Sequence, residues 1–491
     1  MLLLVLLCSL LFSCFKAEDQ LIFVHSHFRH GARNPPLMIP SRQYYFDPFG
    51  ERWQHPFKLT GVGQRMHYLL GLRNRIKYVN EKQFLPEKYS FSELKIYCSD
   101  NERTVRSLLS HLQGLYPQSE KLGEKLTEVQ LTKSNPPLNI NNSRILEEIS
   151  YLKNYALPEG MTLVNFTIIN EKEGFNIYEM KSCDDKLTVD IDSLTNESIL
   201  MREEFMEKYS ESFNKILGLN YTFDYPIKNI SIYCEAFIPN YYEGRNVSKL
   251  IDNGINFTEF HDFCIRHMKI DIKYKNNNTT ALIRGSKMMK MIIENAKKKI
   301  DADIKGSSSN DPKMLIISGH DTSLSVEELF LIYSLGLDLD NYKYPSFASQ
   351  SNLEFSRKDD NNKNRTYSDY FVNYYFNDEH LFNLTAKEFF EKIEAKIWSE
   401  DEMITFCSNN STNNNKTNNI NNNNNSEIKN NDNSYRSHFK KKDSSKSGAL
   451  IVFICLFVVS FIINLILALC LHRKRSIIPN QQDKLMLLNL Q

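Results

Sequence analysis

The chain has 491 residues, 41% hydrophobic and 24% charged, enough to bury the core of one large domain or two ordinary ones. Its formal charge of +1 excludes the clustered basic excess that a nucleic-acid partner requires. Asparagine is over-represented in tracts, which marks compositional drift rather than chemistry.

Residues 1–13, MLLLVLLCSLLFS, form an apolar run too short to cross a bilayer with ease, so a cleaved signal peptide is expected over residues 1–17. No Lys or Arg precedes the run and the small-x-small cleavage pattern is weak, which leaves a signal anchor as the alternative. The folded part is expected over residues 18–407. There, Leu21-Ile22-Phe23-Val24 starts a strand that ends at a turn around Gly31. Residues 63–78 have helical spacing, with Met66, Leu69, Leu70, Leu72 and Ile76 as the apolar stripe. Leu94-Lys95-Ile96-Tyr97-Cys98 reads as a short strand, followed by an amphipathic helix over 103–115. Residues 140–280 have weaker periodicity and are assigned to a cap. A long helix over 281–304 and an apolar strand over 314–319 follow. Strands alternating with long helices predict an α/β fold: a mainly parallel sheet flanked by helices, with a smaller, largely helical cap domain.

Residues 408–447 are Asn, Ser, Thr and Lys with few apolar members, and are read as a disordered stalk. Residues 448–471 are almost wholly apolar; at about 1.5 Å per residue they reach roughly 36 Å, enough for one transmembrane helix. Basic residues flank the span on both sides, so the N-terminal signal sets the orientation: lumenal globular part, cytosolic tail over 472–491. In that tail Asp483-Lys484-Leu485-Met486-Leu487-Leu488 matches an acidic dileucine pattern that sorting adaptors read; the alternative is a tail resting on the membrane surface.

Asn-x-Ser/Thr sequons, among them Asn165, Asn229 and Asn383, agree with secretory exposure, although an Asn-rich chain generates some by chance. Cys98, Cys183, Cys234, Cys264 and Cys407 lie between the apolar ends without a CxxC pair. One or two disulfides are therefore expected and a metal site is not; the pairing stays open. His261 and His267 around Cys264 match no standard ligand set and are assigned to a surface or cap helix. His25 and His27 alternate along the first strand and are read as packing or turn-facing residues, with the pocket floor as the alternative.

The strongest local signal is Phe28-Arg29-His30-Gly31-Ala32-Arg33-Asn34-Pro35, directly after the first strand. A histidine at a strand's C-terminal end beside a Gly turn sits where open α/β sheets bind ligands, and flanking guanidinium forks suit phosphate oxygens. With Leu59-Thr60-Gly61-Val62-Gly63, Ser99-Asp100-Asn101-Glu102-Arg103-Thr104, Leu115-Tyr116-Pro117 and Ser318-Gly319-His320-Asp321-Thr322, the chain resembles the histidine acid phosphatases, within the wider histidine phosphatase superfamily. The order and rough spacing of the blocks agree. The resemblance implies that His30 is the nucleophile of a phosphohistidine intermediate and that Arg29, Arg33, Arg103 and His320 bind the phosphoryl group. It makes Asp321 the acid that protonates the leaving group. It implies a phosphate-monoester substrate, an acid optimum, a lysosomal, vacuolar or cell-surface address, and neither metal nor cofactor. A phytase or lysophosphatidate phosphatase would share these residues and differ in the cap. A non-catalytic membrane glycoprotein would have lost some of them, and all six are present. Departures from the family pattern are Ala32, where many relatives have Asp, and Gly319, where Ala is frequent.

Overall fold

The computed structural model describes residues 19–36, 39–40, 43–117, 126–128, 143–154, 164–169, 195–222, 225–358 and 364–408, all within the compact unit Met1–Lys416. The expected signal peptide, stalk, transmembrane span and tail motif lie outside them. Among the described residues no helix is long and apolar enough to cross a membrane.

Ten strands occur among these residues: β1 (Gln20–Arg29), β2 (Ile39–Pro40), β3 (Tyr45–Phe46), β4 (Arg52–Trp53), β5 (Leu94–Ser99), β6 (Thr167–Ile169), β7 (Met314–Gly319), β8 (Gln350–Arg357), β9 (Tyr370–Phe376) and β10 (Glu379–Thr385). Seven form the central sheet, in the order β10-β9-β8-β1-β7-β5-β6. The half from β1 through β7 and β5 to β6 is parallel. The other half, β8, β9 and β10, is antiparallel. The sheet is thus evenly mixed rather than mainly parallel. For β9 and β10 the reason is local: no long helix separates them, and they reverse through Asn377 and Asp378, both at positive φ, as a tight hairpin requires.

Burial explains the strand order. In β1 and β7 nearly every residue is buried, as expected of central strands covered on both faces. On one face α9 (Asn278–Ile304) lays Met288, Ile292, Ala296 and Ile300 against Phe23, Leu315 and Ile317. Each of the Met, Ile, Leu and Phe side chains contributes about 1.5–3 kcal/mol of burial. On the other face α2 (Glu102–Leu115) sets Leu108, Leu112 and Leu115 against Phe28, Ile96 and Met314.

The helix α1 (Gly61–Arg75) exists close to where its spacing predicts, capped by the Thr60 side chain, but it buries a different face. Gly63, His67, Gly71 and Asn74 are buried, whereas Leu69 and Ile76 of the expected stripe are exposed. Here close approach of backbones outweighs apolar periodicity: a Cβ at Gly71 would lie 1.9 Å from the His111 carbonyl oxygen in α2.

Over the stretch expected to form a cap are α3 (Ser143–Leu152), α4 (Asn196–Lys208), α5 (Ser210–Leu217), α6 (Ile227–Tyr242), α7 (Ser248–Ile251) and α8 (Phe257–Lys275), within the same compact unit as the sheet. Phe205, Phe213, Tyr225, Phe260 and Phe263 fill an aromatic core there, which continues onto Leu329 and Ile332 of α10 (Asp321–Leu335). A disulfide joins Cys234 of α6 to Cys264 of α8, so the cysteine between His261 and His267 is committed to sulfur rather than metal. Cys98 is a buried free thiol.

Candidate active site

The parallel strands β1, β5 and β7 end on one edge of the sheet, and the three strongest motifs follow them there. The turn after β1 is pinned by its backbone. The His30 N–H donates to the Gly319 carbonyl (3.0 Å), the Arg29 N–H to that of Ser349 (3.0 Å), and the Ala348 N–H to that of His30 (3.1 Å). Gly31 donates its N–H to Ser107 Oγ of α2 (3.1 Å). A Cβ at Gly31 would sit 2.4 Å from the Gly63 carbonyl oxygen, so this turn reaches the start of α1 only without a side chain.

His30 is 2% exposed. Its Nδ1 lies 2.9 Å from the Gly31 carbonyl, which has only lone pairs, so Nδ1–H donates and Nε2 keeps the free electron pair. Burial, then the charges of Arg29, Arg103 and Arg33, push the imidazole's pKa well below its usual value. The ring is therefore neutral and basic at one defined nitrogen.

Around it stand the other expected residues. Arg29 donates to Tyr344 Oη (3.1 Å) and the Pro345 carbonyl (2.7 Å), ion-pairs with Asp321 (2.9 Å) and lies over the Phe347 ring at 4.6 Å. Arg33 donates to the Asn34 carbonyl and faces Glu235 of α6 at 3.9 Å. Arg103 donates to Asn101 Oδ1 and to His320 Nδ1, both at 3.3 Å. The His320 ring meets that of His30 edge-on at 5.5 Å and bonds Ser99 Oγ through Nε2 (3.0 Å). Burial and the neighbouring arginines lower the His320 pKa to about 3, so its ring is neutral. Asp321 opens α10; burial alone would raise its carboxyl, but Arg29, its ion-pair partner, and Arg33 hold it down and the net shift is downward. All six sequence-predicted residues thus meet in one cleft, and a set of cations facing a neutral imidazole suits a tetrahedral oxyanion.

Sequence reasoning missed the walls. Phe57 has a left-handed backbone (φ 59°) and its ring lies against both Arg33 and Arg103, at 5.3 and 5.4 Å. Ala348, whose amide holds His30, is also left-handed (φ 59°). Strain at two non-glycine residues is typical of functional sites, and nothing in their sequence context announces it. Tyr344, Phe347 and Glu235 arrive from segments without a recognisable motif, whereas Ser99 and Asn101 lay inside one. His25 and His27 are not turn-facing. They sit fully buried on β1, both bonded to Glu327 of α10.

The family model for the histidine phosphatase superfamily (branch 2) matches residues 20–377. The chain belongs to that branch. The match takes in all six cleft residues and every strand of the central sheet except β10. Among relatives of this branch-2 histidine phosphatase, prostatic acid phosphatase of Bos taurus is 30% identical over 156 residues, 31% of this chain and 37% of that one. Lysosomal acid phosphatase of Rattus norvegicus is 24% identical over 351 residues, 69% of this chain and 68% of that one. The chain therefore aligns with little more than a third of the bovine relative's length. Among solved structures, the apo phytase of Hafnia alvei covers 79% of this chain and 89% of its own, with 13% identity and a TM-score of 0.44.

Proposed function

We propose that this histidine phosphatase is an acid phosphatase that hydrolyses phosphate monoesters through a covalent phosphohistidine. The observation that carries the reading is the His30 tautomer: Nδ1–H is committed to the Gly31 carbonyl, which leaves Nε2 as a lone-pair nucleophile among three arginines. Nε2 attacks phosphorus as the ester oxygen departs with a proton from Asp321. Water then gives a proton back to the Asp321 carboxylate as it displaces His30 from phosphorus, releasing inorganic phosphate. Arg29, Arg33, Arg103 and His320 bind the phosphoryl oxygens, whose charge spreads in the transition state.

Asp321 is ionised in the free site because Arg29 is its partner. A bound phosphate takes a share of that guanidinium's charge, so the carboxyl holds its proton more readily in the complex. A carboxylic acid with an ordinary pKa of about 3.9 still needs acid surroundings to be a donor, which accounts for an acidic optimum. Glu235, facing Arg33, adds a carboxylate beside the phosphate cleft and weighs against densely phosphorylated substrates.

On the same reading the catalytic part is lumenal, lysosomal, vacuolar or at the cell surface, after a signal peptide over residues 1–17. Residues 448–471 anchor it and residues 472–491 carry a sorting motif. The Cys234–Cys264 disulfide and the lysosomal relatives support an oxidising lumen.

The test is hydrolysis of a labelled alkyl phosphate by the full chain from pH 3 to 8 in EDTA, with alkaline-quenched trapping of the phosphoryl group on the protein. An acid optimum, a phosphohistidine adduct absent from His30→Ala, and a slower Asp321→Asn are expected. A folded chain inactive across that range would refute the reading.

A further inference from the structure

Behind the cleft, on the β1 face that meets α10, lies a buried polar chain that the reaction as drawn leaves unused. Glu327 is wholly buried, and His25, His27 and Ser351 around it are too. Its Oε2 accepts from His27 Nδ1–H (2.8 Å) and His25 Nε2–H (3.0 Å), and its Oε1 from the Ser351 hydroxyl (2.7 Å). Three donors make it an ionised carboxylate in the interior.

The contacts continue toward the cleft. His27 gives its Nδ1–H to Glu327, and its Nε2 lies 3.1 Å from Ser323 Oγ. Ser323 Oγ accepts the backbone N–H of His320 (3.0 Å) and donates its O–H to the His320 carbonyl (3.0 Å), so one side chain brackets both backbone groups of that residue. His320, Ser323, His27 and Glu327 thus form an unbroken file of polar contacts that ends on a buried negative charge.

The backbone has been shaped to this file. A Cβ at Gly319 would lie 2.5 Å from Ser323 Oγ and 2.8 Å from His27 Nε2. The contact between these two side chains therefore occupies the space where residue 319 would carry its own side chain.

We propose that Glu327, His27 and Ser323 are positioning residues that hold the His320–Asp321 turn and so aim the Asp321 carboxyl at the leaving oxygen. The proposal rests on Asp321 being the acid, as above. His25, His27 and Glu327 also bring their ligand atoms within 4.8 Å of one another, which makes a divalent-metal site the competing reading. The contacts favour hydrogen bonds: nitrogen and oxygen ligands on a tetrahedral zinc stand about 3.3 Å apart, given metal bonds of about 2.0–2.1 Å. Here one carboxylate oxygen is 2.8 Å from an imidazole nitrogen.

A misaimed acid harms substrates in proportion to their need for a proton. We would measure kcat/KM of the full chain, Ser323→Ala, Gly319→Ala and Asp321→Asn on an alkyl phosphate and on p-nitrophenyl phosphate, whose leaving group departs unprotonated. Asp321→Asn should lose roughly 100-fold or more on the alkyl ester and far less on the aryl ester. Ser323→Ala should show the same selectivity at about tenfold on the alkyl ester, as for a displaced catalytic group. Gly319→Ala, which keeps every polar group but pushes Ser323 and His27 apart, should follow it even if Ser323→Ala folds poorly. Equal losses on both esters, or none, in Ser323→Ala and Gly319→Ala beside a selective Asp321→Asn would overturn the relay alone. A non-selective Asp321→Asn would overturn the acid assignment, and the relay's aim with it. One tightly held transition-metal ion per chain, lost in Glu327→Gln, would replace the relay by a metal site.

Discussion

His67 couples the acid stability of this fold to its active-site turn. The residue is fully buried in α1, gives Nε2–H to the Arg29 carbonyl (3.0 Å), and has no partner for Nδ1. Protonation would bury an unpaired N–H⁺ beside Phe28, and burial lowers its pKa from 6.5 to about 3. The sign follows from proton counts: between those values the unfolded chain binds a proton that the fold refuses, so stability falls as pH falls. From pH 7 to pH 5 the loss is about 2 kcal/mol, approaching about 5 kcal/mol below pH 3. His67→Gln keeps an N–H for the Arg29 carbonyl and removes the titration. The variant starts less stable at pH 7 because its shape fits less well, but its deficit should shrink by about 2 kcal/mol at pH 5. Urea unfolding of both proteins at pH 7, 6 and 5 measures this directly. Parallel stability curves, with a constant difference across the range, would refute the argument that His67 is held neutral.

Removing the disulfide with Cys234→Ala and Cys264→Ala frees a loop closed across a sequence separation of 30 and should cost about 3.5 kcal/mol, read as a lower denaturation midpoint. Gly63→Ala would put a Cβ 2.2 Å from the Ala32 carbonyl oxygen; a loss of about 2–3 kcal/mol and much reduced phosphatase activity are expected in melting and rate assays. Arg29→Gln takes away the ion-pair partner of Asp321, so the carboxyl's pKa should rise and the alkaline limb of the kcat/KM profile move to higher pH, while KM increases. Dialysis against EDTA should leave hydrolysis unchanged, because the arginines supply the charge a metal would otherwise bring.

Much of the site could be read from the chain because its residues come in short runs tied to strand ends. Arg29, His30 and Arg33 share one turn, and His320 and Asp321 share another. Apolar runs that are buried on both faces, as in β1 and β7, are legible without any tertiary knowledge, and so is the long periodic stretch of α9. The candidate nucleophile, its cationic neighbours and the α/β class therefore follow from local pattern. Tertiary structure decided what depends on residues far apart in sequence. The antiparallel half of the sheet arises because β8 returns beside β1, and no local period distinguishes that from a parallel neighbour. The buried face of α1 was set by how closely α2 approaches, so small and polar residues displaced the apolar stripe. Glu327 met His25 and His27 only through folding: a carboxylate in a helix reads as solvent-facing until packing buries that helix on nearly every side. Local sequence thus determined which groups could do chemistry, and packing determined which nitrogen, which face and which buried charge they answer to.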